Sequence, residues 1–390
     1  GKPPEKIGED RRRPKSSSPS PKAREMENRL ILFPRTVKAL FTRRLNRFAL
    51  ECLIDGKPVR AHLPNPGRLW ELLLPGKTVY LTESDSAKRM TAYTAVAVLR
   101  EGLPVFLHTH ETNRAVAWLL DQKAIPGLEK VDRIEREKTV GNSRFDFLLH
   151  EGNRPLYLEV KSCTLFGNKI AMFPDAVTSR GRRHLSALSR LPGTRRSGGV
   201  LFFVQWPRAR FFLPDYHTDP DFAATFLAVR HRIRIQAVAA TWNGDLGLSP
   251  RVRELAIPWD LIRQEAKDRG SYLLVLRLDK GVSLSVGKMG RVSFEKGHYI
   301  YVGSARRGLS RRIDRHLRKR KTFFWHIDYL RNEADKVTAI PIRSGFDDEC
   351  DLATDLAAVT EGSVPGFGCS DCSCDSHLFR MTGSPLSSPP

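Results

Sequence analysis

"RPLYLEVKSCTL", residues 154–165, places Glu159 and Lys161 in a segment that otherwise reads as a buried strand. Successive side chains of a strand point to opposite faces, so Leu158 and Val160 are expected on one face and Glu159 and Lys161 together on the other. A solvated outer face is one explanation of such a pair. The other is a site. The stretch just upstream favours the site. In "SRFDFLL", residues 143–149, period-two alternation puts Phe145, Phe147 and Leu149 on one face and Arg144, Asp146 and Leu148 on the other, which makes Asp146 a lone carboxylate amid apolar residues. The turn-rich "HEGNRP" between the two strands predicts a hairpin that brings Asp146 toward Glu159 and Lys161. Converging carboxylates repel unless a cation lies between them, and an all-oxygen donor set suits Mg²⁺ or Mn²⁺. Such an ion lowers the pKa of a bound water, and Lys161 would orient that water or offset charge developing on phosphorus. The chemistry read from these residues is phosphodiester hydrolysis.

The whole chain agrees with an anionic partner. Its 390 residues carry 65 Lys and Arg against 43 Asp and Glu, a net charge of +22, and 41% hydrophobic residues, enough for two or three cored domains. Nucleic acid is the commonest polyanion that such a balance serves. An anionic membrane is the competitor, but "GVLFFVQW" is too short to span a bilayer and no basic amphipathic helix with a clean apolar stripe is visible, so no membrane association is expected. Residues 1–28 are Pro-, Ser- and charge-rich, which reads as a disordered basic arm with Met26 as a candidate natural start. The six cysteines do not form a disulfide framework, and a reducing cytoplasmic setting is expected.

Three folded units follow. Residues 29–95 are strand-like, with Asp55-Gly56 as a hairpin turn and "LPGK" as a second turn, and suit a small OB-like β-barrel. Residues 96–265 mix strands with the helical "HETNRAVAWLLDQ" and "SRGRRHLSALSRL" and the buried strand "GGVLFFVQW", an α/β pattern. Residues 266–380 form a third α/β unit, and 381–390 a disordered tail. In the barrel, Arg60, His62 and Arg68 are candidates for facing a nucleic-acid strand, with Trp70 beside them read as packing. Arg180, Arg182, Arg183 and His184 cluster at the start of a predicted helix, where side-chain charge and free backbone N–H groups both favour phosphate, although a solvated helix face is the alternative.

Asp146 followed by Glu159-Val160-Lys161 resembles the PD-(D/E)xK nuclease core. Together with "HLPNPGRLWELLLPG", "SRFDFLL", "YLEVKSCTL" and "FPDAVTSRGRRHL", it resembles the sugar fermentation stimulation protein family over residues 29–265. The resemblance implies an OB-like domain, then a PD-(D/E)xK-like domain, and DNA binding. It also implies Asp146 and Glu159 as metal ligands and Lys161 as the catalytic lysine.

A second constellation lies in "GHYIYVGSARRGLSRRIDRHLRKRK". From Arg306 to Lys321 nine Lys or Arg face one acid, Asp314, and on a continuous helix Arg312, Arg315, His316 and Lys319 share a face, with Arg315 and Lys319 as phosphate contacts. This unit resembles the GIY-YIG nuclease superfamily: Tyr301-Val302-Gly303 matches one half of its signature, Gly270-Ser271-Tyr272 part of the other, Arg312 and His316 the helix pair, and Glu349 the metal-binding glutamate. The 29 positions between Tyr272 and Tyr301 exceed the family's usual spacing. The resemblance implies that Tyr272 or Tyr301 helps activate water, Arg312 holds the scissile phosphate and Glu349 carries a divalent ion. Cys369, Cys372, Cys374 and His377 could make a zinc site, but C-x-C-x-x-H is cramped for one tetrahedral ion, and structural thiols are the preferred reading. His326 and Asp328 read as packing groups.

The expectation is thus a multidomain α+β protein acting as a Mg²⁺- or Mn²⁺-dependent endonuclease on single- or double-stranded DNA. A non-catalytic, sequence-nonspecific DNA-binding regulator is the alternative. No motif here reads a 2′-hydroxyl, so RNA stands open as a substrate.

Overall fold

The computed structural model describes residues 28–84, 91–191, 197–346 and 348–386; the expected basic arm up to residue 27, with its candidate natural start, lies outside them. Strands β1 (Val37–Asn46), β2 (Ala49–Ile54), β3 (Lys57–His62), β4 (Thr78–Glu83), β5 (Tyr93–Arg100) and β6 (Leu103–Phe106) form one sheet in the order β3-β2-β1-β4-β5-β6. A parallel pairing of β3 with β5 (Ala61 to Tyr93, His62 to Thr94) closes the first five into a barrel. Register shifts in β1 between Phe41 and Arg43, and between Arg44 and Asn46, add the bending that closure needs. Asp55 and Gly56 have φ of 48° and 76°, the paired positive angles of the expected hairpin turn. The sheet runs on through β5 and β6 to Phe106, past the boundary expected at residue 95: the apolar "AVAVL" there belongs to the barrel wall, not to a new unit.

The second unit is built on β7 (Arg133–Val140), β8 (Ser143–Glu151), β9 (Arg154–Cys163), β10 (Gly198–Val204), β11 (Arg234–Ala239) and β12 (Arg253–Glu254), in the order β12-β11-β10-β9-β8-β7. The centre of the sheet, β9-β10-β11, is parallel, and β10 is buried at every position. Helix α1 (Thr112–Asp121) supplies Ala115, Val116, Leu119 and Leu120 to a cluster with Leu158, Val160, Leu201 and Phe203 on one face. Helices α2 (Ser179–Leu188) and α3 (Pro220–Val229) supply Leu185, Leu188, Phe222 and Phe226 to the other face, in a cluster that continues into the barrel core. Phe145 departs from the expected alternation: it packs in this second cluster, while Phe147 and Leu149 pack in the first. The cause is local. Glu137 on the partner strand has a φ of 54°, and the β8–β9 register ends at Phe147–Leu158, so β8 turns just before Asp146.

After α4 (Trp259–Glu265), the third unit is an antiparallel sheet of β13 (Gly270–Leu278), β16 (Gly297–Ala305), β17 (Lys336–Arg343), β18 (Gly362–Ser363) and β19 (Leu378–Met381), ordered β17-β13-β16-β19-β18. The hairpin of β14 (Val282–Ser285) and β15 (Arg291–Phe294) fills the long interval between Tyr272 and Tyr301. Helices α5 (Leu309–Leu317), α6 (His326–Glu333) and α7 (Glu349–Val359) cover the sheet. The unit docks on the second through Arg343, whose N–H meets His217 Nδ1 at 2.9 Å and whose guanidinium donates to the His217 carbonyl; Gly345 N–H donates to Glu265 at 2.7 Å.

Candidate metal and nucleic-acid sites

Asp146 sits where β8 leaves its ladder, and its side chain takes over part of the lost pairing. Its Oδ2 accepts the Val160 N–H at 2.7 Å, and its Oδ1 accepts Asn113 Nδ2 at 2.8 Å from α1. Glu159 is 4% exposed although it is an acid in the middle of a sheet. Lys161 Nζ donates to its Oε1 at 2.5 Å, and His184 Nδ1 on α2 donates to the same oxygen. Glu159 Oε2 is buried and has no hydrogen-bond partner among the described residues. Such an atom is costly unless something else satisfies it. Burial, then the charge of Glu159, raises the Asp146 pKa. Burial also opposes ionisation of Glu159, but the hydrogen bond from His184 and the charge of Lys161 outweigh it and lower the pKa overall. Two carboxylates with one orphan oxygen fit a hard divalent cation.

The pair opens into a cleft of about 490 Å³ between barrel and sheet, lined by Asn65, His110, Asn113, Asp175, Arg47 and Arg180 among others. Arg180 and Arg183 are exposed, and Arg180 Nε reaches His184 Nε2 at 3.5 Å. Arg182 and Arg68, also predicted to contact nucleic acid, have structural partners. Arg182 pairs with Asp221 and lies 3.9 Å from Asp219. Arg68 ties the barrel to the second unit, donating to the Asp175 carbonyl at 2.7 Å and to Thr218 Oγ1 at 2.9 Å, with its guanidinium 4.6 Å from the Trp70 ring centre. Arg60 is exposed on β3, and His62 is half-buried. Asn113 was not foreseen as a site residue: it stands between the polar Thr112 and Arg114 in the first turn of α1, where nothing sets it apart.

In the third unit Tyr272 and Tyr301 lie on adjacent strands with ring centres 6.3 Å apart. Tyr272 Oη is 2.9 Å from Nε2 of the buried His316, whose Nδ1 faces Asp328 at 3.4 Å. Burial raises both tyrosine pKa values, and the Arg312 charge opposes it. A side chain on Gly303 would overlap the Tyr272 ring, which accounts for glycine in "YVG". Glu349, first in α7, accepts from Ser304 Oγ and faces His377 Nδ1 at 3.1 Å. Burial opposes its ionisation, but His377 and Ser304 lower its pKa.

Lys319 is not on the shared helical face. Helix α5 ends at Leu317 and Arg318 is extended (φ −72°, ψ 135°), because Lys321 donates to the Arg315 and His316 carbonyls and Arg331 to that of Leu317. Arg315 is likewise held: it donates to Asp328 at 3.1 Å and stacks on Trp325 at 4.3 Å. Cys369 is not part of the close thiol group. Cys350, from the first turn of α7, takes its place beside Cys372, Cys374 and His377, which relieves the crowding that C-x-C-x-x-H alone implies.

A closed OB-like barrel followed by α/β units with an acidic pair in the intervening cleft defines the class. The chain belongs to the sugar fermentation stimulation protein (SfsA) family. The family's N-terminal OB domain matches residues 42–107, its "RE domain" residues 110–245, and a domain of unknown function, DUF123, residues 271–388. The chain is 37% identical over 219 residues to a sugar fermentation stimulation protein homolog of Clostridium kluyveri, covering 56% of this chain and 94% of that one. The homolog of Methanothermobacter thermautotrophicus is 33% identical over 232 residues, covering 59% and 96%. The solved structure of Pyrococcus furiosus SfsA in complex with Ca²⁺ is similar with a TM-score of 0.53 and 28% identity, covering 59% of this chain and 99% of that one.

Proposed function

We propose that the cleft is a PD-(D/E)xK-type centre that hydrolyses DNA phosphodiesters, with Asp146 and Glu159 holding one divalent cation. The buried, unpartnered Glu159 Oε2, on a residue whose charge acts on the desolvated Asp146, carries this reading. The Pyrococcus relative was solved in complex with Ca²⁺, a hard cation of the kind that oxygen ligands bind, and this supports the reading. When bound, the ion would supply Lewis acidity toward a phosphate oxygen and toward water. The protein's own groups do the rest. Asn113 fixes Asp146, and His184 fixes Glu159. Lys161, beside Glu159 at the cleft wall, can offset charge on the phosphate oxygens. Arg47 and Arg180 line the same cleft and add positive charge for the strand's backbone.

The third unit is read as GIY-YIG-like and as a second phosphate site. Arg312, whose charge acts on Tyr272, Tyr301 and Glu349, would hold the phosphate, and the phenols would stay protonated until substrate arrives. The test is Mn²⁺-dependent cleavage of labelled single-stranded, duplex and forked DNA, with a single-stranded RNA beside them, by wild type, Glu159→Ala and Glu349→Ala. Loss of cleavage in Glu159→Ala with retention in Glu349→Ala is expected. Binding without cleavage by all three proteins would leave a DNA-binding regulator in place of a nuclease.

A further inference from the structure

The third unit contains a second, chemically different group of metal-ligating side chains. Cys350 lies in the first turn of α7, and Cys372, Cys374 and His377 lie in the segment leading into β19. Each offers one ligand atom, and the four atoms lie within 4.8 Å of one another. The Cys372 Sγ to His377 Nε2 distance is 3.4 Å. A tetrahedral ion with about 2.3 Å to sulfur and about 2.0 Å to nitrogen places its ligand atoms roughly 3.5 to 3.8 Å apart, so the group needs to contract by no more than about an ångström. Three thiols and an imidazole are soft donors that select zinc over the hard cations expected in the acidic cleft.

The imidazole is already oriented for this. His377 is 2% exposed, and its Nδ1 faces Glu349 Oε1 at 3.1 Å. That contact places the proton on Nδ1 and turns the Nε2 lone pair toward the thiols, the carboxylate–histidine arrangement that supports metal-bound histidines. We propose that Cys350, Cys372, Cys374 and His377 bind one structural zinc ion that clamps the start of α7 to the last strand. The three thiols bind as thiolates and release their protons to solvent. The clamp also fixes Glu349, which comes just before Cys350 and is itself the partner of His377. The inference is independent of whether the acidic cleft cleaves DNA.

The full chain, produced in zinc-supplemented medium and purified reduced without chelator, is assayed for zinc by mass spectrometry beside Cys369→Ser, Cys372→Ser and Cys374→Ser. About one zinc per chain is expected in wild type and in Cys369→Ser, and loss of it in the other two. Because a ligand variant can fail to fold, wild type stripped of metal is also titrated with Co²⁺, and the intense visible bands of a tetrahedral thiolate complex are expected. A zinc-free wild type, a weak octahedral cobalt spectrum, equal zinc loss in Cys369→Ser, or a disulfide joining two of the three ligand cysteines in the purified protein would each overturn the proposal.

Discussion

Asp328 is fully buried and accepts hydrogen bonds from Arg315 at 3.1 Å and from the N–H groups of Phe324 at 2.9 Å and Trp325 at 3.1 Å, with Lys321 Nζ 2.8 Å away. Burial opposes its charge, but the neighbouring His316 and Lys321 side chains and the Phe324 and Trp325 N–H groups win and hold its pKa far below the carboxylate range. Its stabilisation is therefore complete above the unfolded value near 4 and is lost only as pH falls through the depressed folded value. Asp328→Ala leaves the buried Lys321 charge without its carboxylate and is expected to cost about 3 to 5 kcal/mol in urea unfolding at pH 7; a change under about 1 kcal/mol would refute that role. Asp175 behaves in the opposite sense. Burial, opposed by the Leu69 N–H and reinforced by Glu71, pushes its pKa up to about 6. A carboxyl raised in the folded state stabilises when protonated, so its contribution is present below about 4 and is lost as pH rises toward 6. The stability of wild type relative to Asp175→Asn should fall by roughly 3 kcal/mol from pH 4 to pH 7. A pH-independent difference would show that Asp175 is ionised throughout.

Among the strands and helices, the motif glycine on β16 is the most exposed to test. The phenol end of the Tyr272 ring occupies the space that a side chain on Gly303 would fill, so Gly303→Ala must push the phenol away from His316. Overpacking of this kind costs roughly 1 to 3 kcal/mol, and a crystal structure of the variant should show Tyr272 Oη moved out of hydrogen-bonding range of His316; an unmoved ring would contradict the close packing described. These strands were legible in the sequence because the signals were local: alternation in "YLEV", the strand-like run "YIYVG" and the Asp55-Gly56 turn. The end of α5 was not. Basic residues from Arg318 to Lys321 look like a continuing helix face, and only the contacts of Lys321 and Arg331 with carbonyls of the last turn show why the chain leaves it. The shift of Phe145 to the other cluster was equally hidden, since it depends on the backbone of Glu137 across the ladder.

Across the full chain, the units are joined by arginines, a half-buried Arg68 and a buried Arg343, that the sequence offered only as positive charge. Arg68 spans barrel and second unit, and Arg343 spans second and third. Arg343→Ala removes the contacts of its guanidinium with His217, Asp268 and Ser310, and limited proteolysis between residues 259 and 270 should accelerate several-fold while each unit stays folded; an unchanged digestion pattern would mean that other contacts suffice. The acidic pair was legible because Asp146 and Glu159 lie on neighbouring strands of one hairpin. Asn113, His184 and Cys350 come from other elements, and no spacing rule links them to their sites. The functional reading rests on Asp146 and Glu159 forming a cation site. Titration of Mn²⁺ into the full chain, with free Mn²⁺ read by electron paramagnetic resonance, decides it. Wild type and Glu349→Gln should both bind an ion that Glu159→Gln and Asp146→Asn do not; equal binding by wild type and Glu159→Gln would contradict it.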